Sequence, residues 1–144
     1  MGALFSSEEY KPKYNPDEYT KVRPGQNTYN QDKKFVYWRG EIVNGAEVKT
    51  FVNYGDGYGK DSKNVFYNGY ILQTSDVMSF RGLKKHYAIN SENVYYKGSI
   101  LDYADPKTFK VNKDETAIDA KFKYKYGKKI AKKREIYRVR KGKK

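Results

Sequence analysis

Few residues in this sequence are of a type and spacing that could do chemistry. The stretch GDGYGKD, residues 55 to 61, has the glycines, lysine and acids of a phosphate or cation loop. A phosphate-cradling loop needs a glycine five residues before its Gly-Lys pair and a Ser or Thr after it, and here those places hold Tyr54 and Asp61. A calcium loop needs a third ligand and a closing Glu, which Asp56 and Asp61 lack. His86 is the only histidine and there is no cysteine, so neither a thiolate metal site nor a Cys-His nucleophilic pair can be assembled. Glu47, Asp76 and Asp105 recur at one fixed interval and read as turn residues rather than as a catalytic carboxylate pair. No reaction centre, metal site, cofactor or small-molecule substrate is expected, and the protein is not expected to be an enzyme.

Charge gives a clearer signal. From Ala120 to Lys144 there are thirteen Lys or Arg and one acid, Glu135, a net of +12. The first 119 residues hold seventeen basic and sixteen acidic residues, a net of +1. A near-neutral domain therefore carries a strongly basic end. Lys121, Lys123, Lys125, Lys128, Lys129, Lys132, Lys133, Arg134, Arg138, Arg140, Lys141, Lys143 and Lys144 are the candidate polyanion-binding residues, with Tyr124 and Tyr126 as candidate stacking platforms. A few lysines suffice to keep a sheet edge from aggregating. A net of +12 in one short segment exceeds that need and repels itself unless a partner neutralises it. There is no arginine-glycine repeat, RNA-recognition aromatic signature or zinc finger, so base-specific reading is not expected.

The elements that position these residues come from an internal repeat. Gly40, Gly69, Gly98 and Gly127 are each 29 residues apart, preceded by FVYWRG, NVFYNG, NVYYKG and FKYKYG. Eight residues before each glycine stands Asp32, Asp61, Asn90 or Asp119, whose side chain can bond nearby backbone N–H groups and start a turn. Eleven residues after the first three glycines comes Phe51, Phe80 or Phe109, preceded by Thr50, Ser79 or Thr108. Three aromatic or β-branched residues form a strand. The x-Gly pairs Arg39-Gly40, Asn68-Gly69, Lys97-Gly98 and Tyr126-Gly127 suit two-residue hairpin turns. A return strand follows, marked by Ile42, Ile71 and Ile100, then a turn and a short strand around the phenylalanine. Helical periodicity is weak throughout.

The expected fold is all-β: four tandem 29-residue β-hairpin repeats forming a repeat sheet, a meander or a stack, open or closed into a barrel. Units fall near 32–60, 61–89, 90–118 and 119–130 of a repeat domain spanning 31–130. An extended arm, 1–30, carries three of the four prolines and four tyrosines, and a basic tail follows at 131–144. Strand alternation puts Tyr37, Phe66, Tyr95 and Tyr124 on the core face. The opposite face carries Val36/Trp38, Val65/Tyr67 and Val94/Tyr96, but Lys123/Lys125 in the last unit, as a capping repeat requires.

Two nine-residue stretches of the repeat, DKKFVYWRG (32–40) and NSENVYYKG (90–98), together with ADPKTF (104–109) and the junctions YGKD (58–61) and YAIN (87–90), resemble the DKNYY repeat family of bacterial and phage-associated proteins. The second unit, DSKNVFYNG, shifts the Lys and Asn by one place; the fourth, DAKFKYKYG, keeps mainly the Asp, one Tyr and the Gly. The likeness covers residues 32 to about 119. It implies a β-repeat fold and a bacterial or phage setting, and brings no activity or cofactor with it.

The functional expectation is a non-enzymatic structural or interaction protein that docks into a larger assembly, a phage virion or bacterial complex, through its arm and basic end. The alternative is a nucleic-acid-binding protein whose terminal unit contacts the phosphate backbone. The partner is thus an acidic protein surface or a nucleic acid. A cytoplasmic or virion-associated location is expected, because neither a secretory signal nor a membrane-spanning segment is visible. Gly2 followed by Ser6 fits a myristoylation pattern, but one acyl chain anchors only marginally, and a membrane partner is not expected.

Overall fold

The computed structural model describes residues 27–132. Gly2, most of the arm and the tail residues from Lys133 onward lie outside them. The described chain has no helix and fifteen short strands in four antiparallel sheets. The first sheet is β1 (Tyr29–Gln31), β2 (Val36–Trp38) and β3 (Glu41–Ile42). The second is β4 (Val52–Gly55), β5 (Tyr58–Lys60), β6 (Val65–Tyr67) and β7 (Tyr70–Leu72). The third is β8 (Arg81–Gly82), β9 (Tyr87–Ile89), β10 (Val94–Tyr96) and β11 (Ser99–Leu101). The fourth is β12 (Lys110–Val111), β13 (Thr116–Ile118), β14 (Phe122–Lys125) and β15 (Lys128–Lys132). Each is a meander whose strand order follows the chain, and no strand pairs with a strand of another sheet. The repeat domain is therefore a series of separate sheets rather than a closed barrel.

Local chemistry explains each meander. The Asp32, Asp61 and Asp119 carboxylates and the Asn90 amide oxygen accept the N–H groups two and three residues on, at 2.7–2.8 Å for the aspartates and 2.7–2.9 Å for Asn90. This turns the chain into the aromatic strand. At the strand's far end both turn residues are left-handed: Arg39 (φ 52°) with Gly40 (84°), Asn68 (49°) with Gly69 (86°), Lys97 (49°) with Gly98 (80°), and Tyr126 (52°) with Gly127 (75°). These are type I′ turns, whose twist matches that of the flanking strands.

Two local differences from expectation have packing causes. Phe51, Phe80 and Phe109 lie just ahead of β4, β8 and β12 rather than on a strand. Each ring turns inward instead, toward Gly59, Ala88 or Ala117 of the following strand. Those following strands, β5, β9 and β13, occupy what reads in sequence as a junction. The first sheet begins at Tyr29, inside the segment read as an arm.

The core lies between consecutive sheets. Tyr29, Val36 and Val43 of the first unit pack with Phe66 of the second. Tyr58 and Val65 pack with Phe80, Ala88 and Tyr95, and Tyr87, Ile89 and Val94 with Phe109, Ala117 and Tyr124. Both faces of the second and third sheets are thereby covered, so the valines expected opposite the core face are themselves core. The geometry repeats with the sequence: Tyr29–Trp38, Tyr58–Tyr67 and Tyr87–Tyr96 ring centroids lie 4.8, 4.9 and 4.8 Å apart. Tilted aromatic pairs of this kind stabilise by about 0.5–1.5 kcal/mol each beyond the area they bury.

Candidate polyanion-binding face

The character of the last sheet is set by what it lacks, and that is visible only against the joints before it. Each joint has a tyrosine bolt. Tyr29 donates its hydroxyl to the Gly57 carbonyl and accepts the Gly69 N–H, both at 2.9 Å. Tyr58 does the same with His86 and Gly98, at 3.0 and 2.9 Å, and Tyr87 accepts the Gly127 N–H at 2.9 Å. Burial pushes the Tyr29 hydroxyl up to about 12, and also raises Tyr58 and Tyr87, so these hydroxyls stay protonated. The same glycines lie flat on the previous unit's aromatic ring. A Cβ at Gly69, Gly98 or Gly127 would stand 2.9, 2.6 or 2.4 Å from Trp38, Tyr67 or Tyr96.

A second set of bonds laces the units outside the core. Glu47 accepts from Thr50 and from Ser62 of the next unit, and Asp76 accepts from Ser79 and Ser91. The Ser79 and Ser91 hydroxyls hold the Asp76 carboxyl below its ordinary range. The Thr50, Ser79 and Thr108 oxygens also accept the Ser62, Ser91 and Ala120 N–H groups. The repeat acids are therefore turn residues, as their periodicity suggests, and in the first two joints they also bond across to the next unit. Asp61 and Asp119 reach back to the Glu47 and Asp105 N–H groups at 2.8 Å.

The fourth sheet receives such a joint and, among the described residues, offers none. Where earlier units place Tyr29, Tyr58 and Tyr87, it has Thr116, whose hydroxyl turns back to Asp114 and Asn112. Where they place valine and an aromatic ring it has Lys123 and Lys125. Register puts Lys128 directly opposite Lys125 and Ala131 opposite Lys123, so three lysines share the face turned away from the stack.

The other candidates are distributed differently. Lys129 pairs with Tyr124 on the inner side, its ammonium 4.6 and 4.5 Å from the Tyr103 and Phe122 ring centroids, a cation–π clamp that uses the charge structurally. Lys132 pairs with Phe122 on that same side, and Lys121 is exposed just before β14. Lys133, Arg134, Arg138, Arg140, Lys141, Lys143 and Lys144 lie outside the described residues. Tyr124 cannot act as a stacking platform. It is wholly buried, with its hydroxyl on the Asp119 carboxylate, because it fills the third aromatic layer. Tyr126 is 57% exposed at the hairpin tip, with the Lys125 ammonium 5.4 Å from its ring centroid.

The loop at 55–61 is the β4–β5 hairpin, with Gly55, Asp56 and Gly57 all left-handed. His86 is half exposed, with Nδ1 3.9 Å from the Asp56 carboxylate. Among the described residues no group of three His, Asp or Glu is placed to hold a metal. The joint tyrosines escaped sequence reading, although Tyr29, Tyr58 and Tyr87 keep the same 29-residue spacing and could have been found by it.

Fold and joints together define a β-meander repeat protein, a stack of small sheets with a charged terminal unit. The chain belongs to the DKNYY family, whose model matches residues 12–138 and so takes in much of the segment read as an arm and part of the basic tail. No curated protein and no solved structure matches the chain.

Proposed function

We propose that this DKNYY-family protein is a non-enzymatic interaction module that docks an acidic partner on the outer face of its last sheet and the adjoining basic tail. The supporting observation is the substitution of Lys123 and Lys125 into the two positions that bind the next sheet in every earlier unit. Lys125 and Lys128 stand directly opposite each other. Like charges so placed work against the hairpin, and an anionic group laid across both removes that penalty. The arm supplies a second attachment, and a phage virion or bacterial complex is the setting that fits the family resemblance.

A second reading, nucleic-acid binding, draws on Tyr126. An exposed ring beside a lysine at a hairpin tip can stack a base while neighbouring lysines meet phosphates. Binding of the full-length protein to polyglutamate, single-stranded RNA, duplex DNA and anionic vesicles, each at low and high salt, tests both. Salt-sensitive binding to polyglutamate and nucleic acid alike supports docking by charge. Preference for single strands, reduced by Tyr126→Ala, supports the second reading. Failure to bind any polyanion at low salt overturns both.

A further inference from the structure

A groove of about 890 Å³ crosses the hairpin tips of the first three sheets, away from the basic face. A single repeat position, the first turn residue, lines it three times, as Arg39, Asn68 and Lys97. Asp56 and His86 of the β4–β5 and β8–β9 turns line it as well, next to Asn68 and Lys97, whose N–H groups bond the Gly57 and His86 carbonyls. A recess of about 170 Å³ shares His86 and Lys97 and extends to Tyr126 in the fourth unit. We propose that this groove binds a neutral, extended oligosaccharide.

Charge excludes the partner class assigned to the last sheet. Arg39 and Lys97 are balanced by Glu41 and Asp56, so the groove has no net field to draw a polyanion. Topology argues against a peptide added as a strand. The groove runs across separate sheets, not along one edge, and offers no continuous row of unpaired backbone groups. Recognition is left to side chains, and those present suit sugars. Tyr70 supplies an open ring for the C–H face of a pyranose, and Trp38 and Tyr67, half-buried with one side against the next unit's glycine, add aromatic surface beside it. The nearby amide, guanidinium and carboxylate match hydroxyls that both donate and accept.

Two further features fit a periodic polymer. Trp38 and Tyr67 are seated on Gly69 and Gly98 of the next unit, so their rings are held in place before any ligand arrives. Sheets stacked about 10 Å apart repeat the same turn position along the groove, as a regular chain repeats its sugars. Tyr70 is 81% exposed and lies on the edge strand β7, where a large aromatic ring gains little from the fold.

The single tryptophan, Trp38, is a built-in reporter. Titrating the full-length protein with cellohexaose, chitohexaose, xylohexaose and maltohexaose, read by tryptophan emission and by calorimetry, is expected to give saturable binding of at least one. High salt should leave that affinity unchanged. Tyr70→Ala should weaken it about tenfold with the unfolding midpoint unmoved. Absence of both signals for all four sugars at millimolar concentration overturns the proposal. So does binding that Tyr70→Ala leaves unaltered, or a response confined to polyanions and abolished by salt.

Discussion

The joint between the third and fourth sheets and the outer face of the fourth sheet occupy equivalent surfaces of consecutive repeats. At the joint, Tyr87, Val94 and Tyr96 receive Phe109, Ala117 and Tyr124, and the Tyr87 hydroxyl bonds the Gly127 N–H. On the outer face the corresponding positions are Thr116, Lys123 and Lys125. The backbone is common to both surfaces and only the side chains differ. Three substitutions thus turn a surface that receives another sheet into one that lacks the joint residues and carries charge.

The largest effect is expected at the joint glycines. Gly98→Ala puts a side chain at φ 80° and a Cβ 2.6 Å from the Tyr67 ring. Strain and overpacking together should destabilise by about 3–5 kcal/mol. Gly55 has a similar φ of 87° and nothing within 4 Å of an added Cβ, so Gly55→Ala should lose only about 1–2 kcal/mol. Urea unfolding of the two variants separates the turn's own requirement from that of the joint.

Tyr58→Phe should follow. It removes a buried hydroxyl that donates to His86 and accepts from Gly98, leaving the Gly98 N–H unpaired while the His86 carbonyl keeps the Lys97 N–H, a loss of about 2 kcal/mol in the same assay.

The 29-residue register, the type I′ turns and the core face are all legible in the sequence, because Asp, Gly and aromatic positions each have a backbone or packing reason to recur. The strands β5, β9 and β13 were not. Their central residues, Gly59, Ala88 and Ala117, look like turn or junction residues when read along the chain. Gly59 is small because a Cβ there would stand 2.4 Å from Phe51, a contact between segments that local propensity cannot register. At the candidate site, the sequence located the lysines but could not sort them. Only pairing register distinguishes Lys125 and Lys128 on the outer face from Lys129, clamped between two rings on the inner side.

The pH dependence should expose the joints from both directions. Burial alone would raise the Asp119 carboxyl, but the Tyr124 hydroxyl and the Asp105, Phe122 and Lys121 N–H groups outweigh it and lower it; Asp32 is lowered in the same way. With folded values below the unfolded one, their contribution is present above about pH 4 and is lost as pH falls through the folded values. The joint tyrosines are raised, so their contribution is complete below about pH 10 and fades as pH rises beyond it, for Tyr29 through about 12. Urea midpoints across pH, with tyrosinate absorbance on the alkaline side, should show stability falling at both extremes. A midpoint flat to pH 12 would contradict the buried-hydroxyl bolts.

The outer face is tested most directly by giving it the residues of the joints. The double substitution Lys123→Val and Lys125→Tyr, made in the full-length protein, should leave the unfolding midpoint unchanged or raise it slightly. The decisive measurement is the slope of log affinity for single-stranded RNA or polyglutamate against log salt. Loss of two ionic contacts should make that slope shallower by about 1.5 and weaken binding at low salt. An unaltered slope and affinity in the double variant would contradict the assignment of the terminal sheet as the docking face.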